Sequence, residues 1–144
     1  MIKILYVEDE ADLREALSEE LEEDGFDVQS ACNGEEGLRM LARFRPDLVI
    51  TDWLMPRMTG IELIRVMRTT LPDFALTPVI FLSAYSAKAH VDEAMAAGAC
   101  RYITKPVDYD ELLRAIAEFG EAPGKPSALR CRCHVGVPAM AGGS

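Results

Sequence analysis

Five times along the chain a short apolar run gives way to a longer segment whose apolar residues recur at three- and four-residue spacing. The runs are Ile2–Val7, Phe26–Ala31, Asp47–Thr51, Pro78–Ser83 and Cys100–Ile103. Three of them are continuous stretches of Val, Ile and Leu type, the pattern of strands whose two faces are both covered. Parallel strands need a crossover of about a dozen residues or more, and amphipathic helices supply it. Five such units point to an open parallel α/β sheet with helices on both faces.

The intervening segments carry helix signals. Leu13, Leu17 and Leu21 share one face, and Gly25 closes that helix. Asn33 followed by Glu36 has capping-box spacing and opens a second helix that runs to Phe44. Ile61, Leu63, Ile64, Met67 and Leu71 form a third apolar set, ended by Pro72. Ser86 is placed to cap a fourth helix that ends at Gly98. Asp108 and Glu111 open a fifth, carrying Leu112, Leu113, Ile116 and Phe119.

With 144 residues, 49% hydrophobic, the chain suits one domain with a real core. Its net charge of −9 makes it a poor partner for phosphate backbones, so direct nucleic-acid binding is not expected. Nothing approaches the ~18 apolar residues of a membrane span. The N-terminal apolar run meets Glu8-Asp9-Glu10 at once, unlike a signal peptide, so a cytoplasmic location is expected. Cys32 and Cys100, in apolar contexts, are expected to be small buried residues. After Gly120 the composition turns to Gly, Pro, Ala and Ser. Residues 121–144 therefore read as a flexible tail, a truncated linker or a cloning remnant. Cys131, Cys133 and His134 lie there, and they lack a fourth ligand for a structural zinc site.

In a doubly wound sheet, ligands bind outside the carboxyl ends of the strands. The residues expected at that rim are Glu8 and Asp9 after the first strand and Asp52 after the third. Ser83 ends the fourth strand, and Thr104-Lys105-Pro106 follows the fifth. Each has a bland explanation alone: helix N-terminal acids, an Asx turn, a strand-end hydroxyl, a solvated lysine. Their arrival at one rim together needs another. Crowded carboxylates repel and call for a cation, and an all-oxygen donor set suits Mg2+. An Asp carboxylate can attack phosphorus to form an aspartyl phosphate. Phosphoryl transfer then depends on positioning and on neutralising the equatorial oxygens, work for a metal, the Lys105 ammonium and the Ser83 hydroxyl.

Glu8-Asp9, the segment Asp52-Trp53-Leu54-Met55-Pro56-Arg57-Met58-Thr59-Gly60, Ser83-Ala84 and Lys105-Pro106 together resemble the receiver domain of two-component response regulators. The resemblance covers residues 1–120. It implies a flavodoxin-like (βα)5 three-layer sandwich with a five-stranded parallel sheet in the order 2-1-3-4-5. It also implies that Asp52 is the phosphoacceptor and that Glu8, Asp9, Asp52 and the backbone carbonyl of Leu54 hold Mg2+ or Mn2+. By the same resemblance Lys105 contacts the phosphoryl group and precedes a cis proline. Ser83 and Tyr102 form the switch, Gly60 marks the turn into the third helix, and Ala84 leaves the phosphate accessible. Leu54 and Tyr85 flank the path of attacking water. The implied donor is a histidine kinase or histidine phosphotransfer protein. The implied target is a downstream protein bound at the face of helix 4, strand 5 and helix 5, by a monomer or weak homodimer. Such a chain is a switch catalysing only its own phosphorylation and dephosphorylation.

Other readings fit less well. A receiver-like module that binds partners without being phosphorylated would not need every one of these site residues. A haloacid-dehalogenase-type phosphatase would want an Asp two residues after Asp52, where Leu54 stands. An FMN carrier would want a Ser/Thr/Gly-rich phosphate loop where Glu8-Asp9-Glu10 stands.

Overall fold

The structure, a computed structural model, describes residues 2–53, 55 and 57–120. Residues 121–144, with Cys131, Cys133 and His134, lie outside the described residues, as does Leu54. The strands are β1 (Lys3–Val7), β2 (Asp27–Ala31), β3 (Leu48–Asp52), β4 (Val79–Ser83) and β5 (Arg101–Thr104). The helices are α1 (Ala11–Glu23), α2 (Gly34–Phe44), α3 (Gly60–Thr69), α4 (Lys88–Ala97) and α5 (Tyr109–Gly120). A single 3-10 turn, Pro72–Phe74, follows α3.

The five strands are all parallel, in the order β2-β1-β3-β4-β5. Every strand starts one residue later than its apolar run. The run registers burial, whereas the strand begins with the ladder, and the two differ by a residue at such ends. The apolar run alone puts Asp52 just after β3. It is in fact the strand's last residue, paired with Leu82 of β4.

Strand alternation divides the core in two. Leu5, Val7, Val49, Val79 and Phe81 face one side, packed with Leu41, Leu63, Ile64, Met67 and Ala94 of α2, α3 and α4. Ile4, Tyr6, Leu48, Ile50, Ile80 and Leu82 face the other, with Leu17, Leu21, Leu112 and Ile116 of α1 and α5. All residues of β3 and β4 are buried. The edge strand β2 exposes Gln29 and Ser30, because an edge lacks full cover.

Three local expectations are corrected. Asn33 caps α2 by accepting from Glu36 N–H at 2.8 Å, but the Glu36 carboxylate reaches back to Cys32 N–H at 2.7 Å, one residue beyond a capping box. The reciprocal box occurs instead at Thr59 and Glu62, at the start of α3. Ser86 does not cap α4, whose N-cap is Ala87 with no side-chain bond. Cys32 is exposed, since it follows β2 on the rim rather than lying in the strand, while Cys100 is buried.

Candidate functional site

β1, β3, β4 and β5 end at one rim and deliver the site residues to it. Glu8 follows β1 and is buried; its N–H donates to Ala31 O of β2 at 3.0 Å. Asp9 is exposed beside it. One carboxylate oxygen each from Glu8, Asp9 and Asp52 lie within 4.8 Å of one another. Lys105 reaches in from the end of β5, with Nζ 3.0 Å from Glu8 Oε1 and 3.1 Å from Asp52 Oδ2. The Lys105–Pro106 peptide is cis, as the resemblance implies.

Each group is held from behind. Trp53 N–H donates to Asp52 Oδ1 at 2.7 Å, so one oxygen faces the backbone and the other faces Lys105. Tyr6 O–H donates to Glu8 Oε1 at 3.5 Å, and Glu10 N–H to Oε2 at 3.3 Å. Arg14 of α1 donates to the Glu8 backbone carbonyl at 2.7 Å, fixing the loop after β1. Ser83 is buried, and its Oγ accepts from Tyr85 N–H at 3.0 Å. The Tyr102 hydroxyl donates to the Tyr85 carbonyl, and its ring stacks on Phe81 at 6.0 Å.

Gly60 sets how closely α3 approaches this cluster. A Cβ there would lie 2.3 Å from the Asp52 carbonyl oxygen and 3.1 Å from Phe81 Cζ. Its N–H donates to Trp53 O at 2.8 Å, which closes the loop that follows Asp52.

Burial raises the Glu8 pKa to about 7; the Lys105 hydrogen bond opposes this and the Asp52 charge adds to it. Burial acts to lower the Lys105 pKa, but Glu8 and Asp52 outweigh it and the net shift is upward. The carboxylates therefore outnumber the single ammonium placed between them. A hard divalent cation suits this all-oxygen cluster, and Glu8, Asp9 and Asp52 are the described residues that fit it.

The Glu8 shift has a consequence for stability. A group whose folded pKa is raised contributes stability below its ordinary value, and that stability is lost as pH rises through the folded value. Chelated protein is therefore expected to lose about 2 kcal/mol between pH 5 and 7.5. Mg2+ should restore more of it the higher the pH, because it favours the carboxylate. Urea midpoints with EDTA and with Mg2+ measure both effects. An equally steep loss in Glu8→Gln would assign the effect elsewhere.

The structure thus brings together Glu8, Asp9, Asp52 and Lys105, and sets Ser83 and Tyr102 beside them through Tyr85. Several supporting groups were not read from the sequence: Tyr6, Arg14, Tyr85 as a double backbone partner, and His90. Tyr6 was findable, since it lies two residues from Glu8 and so shares its strand face. His90 and Tyr85 follow no period. They meet where the loop after β4 turns into α4, with ring centroids 4.6 Å apart.

Comparison with known proteins agrees. Residues 4–117 match the family described as the response regulator receiver domain. Response regulator MprA of Mycobacterium leprae is 37% identical over 115 residues, 80% of this chain and 49% of MprA. The chain spans about half the length of that relative. Among solved structures, the signal receiver domain of a histidine kinase from Syntrophus aciditrophicus is 38% identical. Its TM-score is 0.74, with 81% of this chain and 87% of the other covered. The chemotaxis protein CheY4 of Vibrio cholerae is 31% identical, with a TM-score of 0.76 and coverage of 81% and 96%. No helix among the described residues is long and apolar enough to cross a membrane. Receiver domains are signalling modules of two-component systems rather than turnover enzymes, and this chain belongs to the response regulator receiver domain family.

Proposed function

We propose that the chain is a switch set by phosphorylation of Asp52, with residues 1–120 forming the receiver and 121–144 a tail or linker. The observation that carries this reading is the Lys105 ammonium held 3.1 Å from Asp52 Oδ2 beside Glu8 and Asp9. An Asp52 carboxylate oxygen attacks the phosphorus of a phosphohistidine. The O–P bond forms, the P–N bond breaks, and the imidazole leaves with its electron pair. Lys105 exchanges its contact with Asp52 for one to a phosphoryl oxygen, as a point charge. The Ser83 proton, not used in its bond with Tyr85, is donated to another phosphoryl oxygen. Glu8, Asp9, Asp52 and the Leu54 carbonyl are the residues assigned to Mg2+, or Mn2+ in its place. Bound there, the cation neutralises charge on the phosphoryl oxygens.

Movement of Ser83 then repositions Tyr102, and the surface of α4, β5 and α5 changes its preference for a downstream protein. The donor is a histidine kinase or a histidine phosphotransfer protein. With Mg2+ and acetyl phosphate, intact wild-type protein should gain one phosphoryl mass that hydroxylamine removes. The buried Trp53, next to Asp52, should change its emission with Mg2+ and again with the donor. Should neither acetyl phosphate nor a phosphorylated kinase label the chain, it is a binding module that works without phosphorylation.

A further inference from the structure

The two ends of α4 are held in different ways. At the C-terminal end, Arg68 of α3 donates to Gly98 O at 2.8 Å, Thr77 O at 2.7 Å and Ala75 O at 3.1 Å. One half-buried guanidinium thus ties α3, the loop before β4 and the end of α4 together. The N-terminal end has neither a side-chain cap nor an acid in its first turn. What holds it is a set of rings. His90 stacks on Tyr85 at 4.6 Å and 22°, and meets Trp53 edge-on at 5.4 Å. Tyr85 meets Trp53 edge-on at 5.7 Å. His90 Nδ1 is buried without a hydrogen bond among the described residues, so packing rather than that nitrogen secures the ring.

Tyr85 is also where the switch residues meet. Its N–H is given to Ser83 Oγ and its carbonyl accepts from Tyr102. Any shift of Ser83 towards a phosphoryl group on Asp52 gives up the first bond. The Tyr85 ring is then retained by its contacts with His90 and Trp53.

We propose that His90 is a positioning residue for the phosphorylation switch. Its stack on Tyr85 holds Ser83 in the resting arrangement, and its release lets α4 swing at its N-terminal end about the Arg68-anchored end. This rests on Asp52 being the phosphoacceptor. A stack of this kind shifts a two-state balance by a modest factor, and uptake from a small donor follows the competent fraction.

The test compares wild type, His90→Ala and His90→Phe in initial phosphoryl uptake from acetyl phosphate at fixed Mg2+. His90→Ala should be roughly 3- to 10-fold faster than wild type. His90→Phe, which keeps the ring, should return to the wild-type rate. If wild type takes up nothing, the phosphorylation reading fails. If wild type is labelled and His90→Ala is no faster, or His90→Phe is as fast as His90→Ala, the latch is overturned. Amide exchange on wild-type protein answers the same question without a variant. Phosphorylation should speed exchange at Val91, Asp92 and Glu93 and leave Ala97 and Gly98 unchanged. Equal acceleration along the helix would overturn the pivot.

Discussion

Asp52→Asn is expected to cut phosphoryl uptake roughly 1,000-fold or more, because the attacking oxygen is removed. The neighbouring carboxylates do not replace it. Glu8 is buried, with Oε1 committed to Lys105 and Tyr6 and Oε2 to Glu10 N–H. Asp9 is exposed, and the Trp53 N–H orients Asp52 instead. Asn keeps an oxygen for Trp53 N–H, so the turn after β3 survives. Asn also removes a negative charge facing Glu8, so the variant should be no less stable than wild type and its Glu8 should ionise more readily. The change in Trp53 emission caused by the phosphodonor should disappear. Intact mass after incubation with acetyl phosphate decides the matter, and full labelling of the folded variant would remove Asp52 from its assigned role.

Gly60→Ala is expected to cost on the order of 3–4 kcal/mol, the upper end of overpacking effects. Helix propensity argues the other way, since Ala is favoured over Gly within a helix by about 1 kcal/mol. Sterics wins because the obstacle is backbone: the added Cβ lies 2.3 Å from the Asp52 carbonyl oxygen. Relief means moving either α3 or the end of β3, and the latter carries the reacting carboxylate. Phosphoryl uptake should therefore fall along with stability. Gly25→Ala is the control. That position has φ 95° but nothing within 4 Å of an added Cβ, so about 1 kcal/mol of backbone strain is expected and no effect on the site. Urea midpoints for both variants, with uptake rates alongside, separate close approach from backbone conformation. A Gly60→Ala protein as stable as wild type would show that α3 can move away freely.

Local pattern and tertiary contact divide the fold between them residue by residue. Leu48, Val49 and Ile50 announced a strand covered on both faces, and β3 lies in the middle of the sheet. The rim residues were legible because strand ends in a parallel sheet share a side, whatever the details of packing. Gly60 was recognised by resemblance as the turn into α3, but its reason is proximity to Asp52, a contact between segments. Ser86 was read as a cap because local spacing allows it, yet the chain stays extended through Ala87 before α4 starts. Cys32 was expected inside because its neighbours are apolar, and its exposure follows from where β2 ends.

The sequence by itself determined the alternation of strand and helix, the two-sided burial of the sheet and the gathering of Glu8, Asp9, Asp52, Ser83 and Lys105 at one rim. Those depend on periodicity and chain order, which are local properties. Tertiary structure alone decided that Lys105 bridges Glu8 and Asp52, that burial pushes the Glu8 pKa to about 7, and that His90, Tyr85 and Trp53 meet. Lys105 lies far along the chain from Glu8 and Asp52, as Trp53 does from the Tyr85–His90 pair, and that pair depends on how the loop after β4 turns into α4; no periodic pattern encodes these distances.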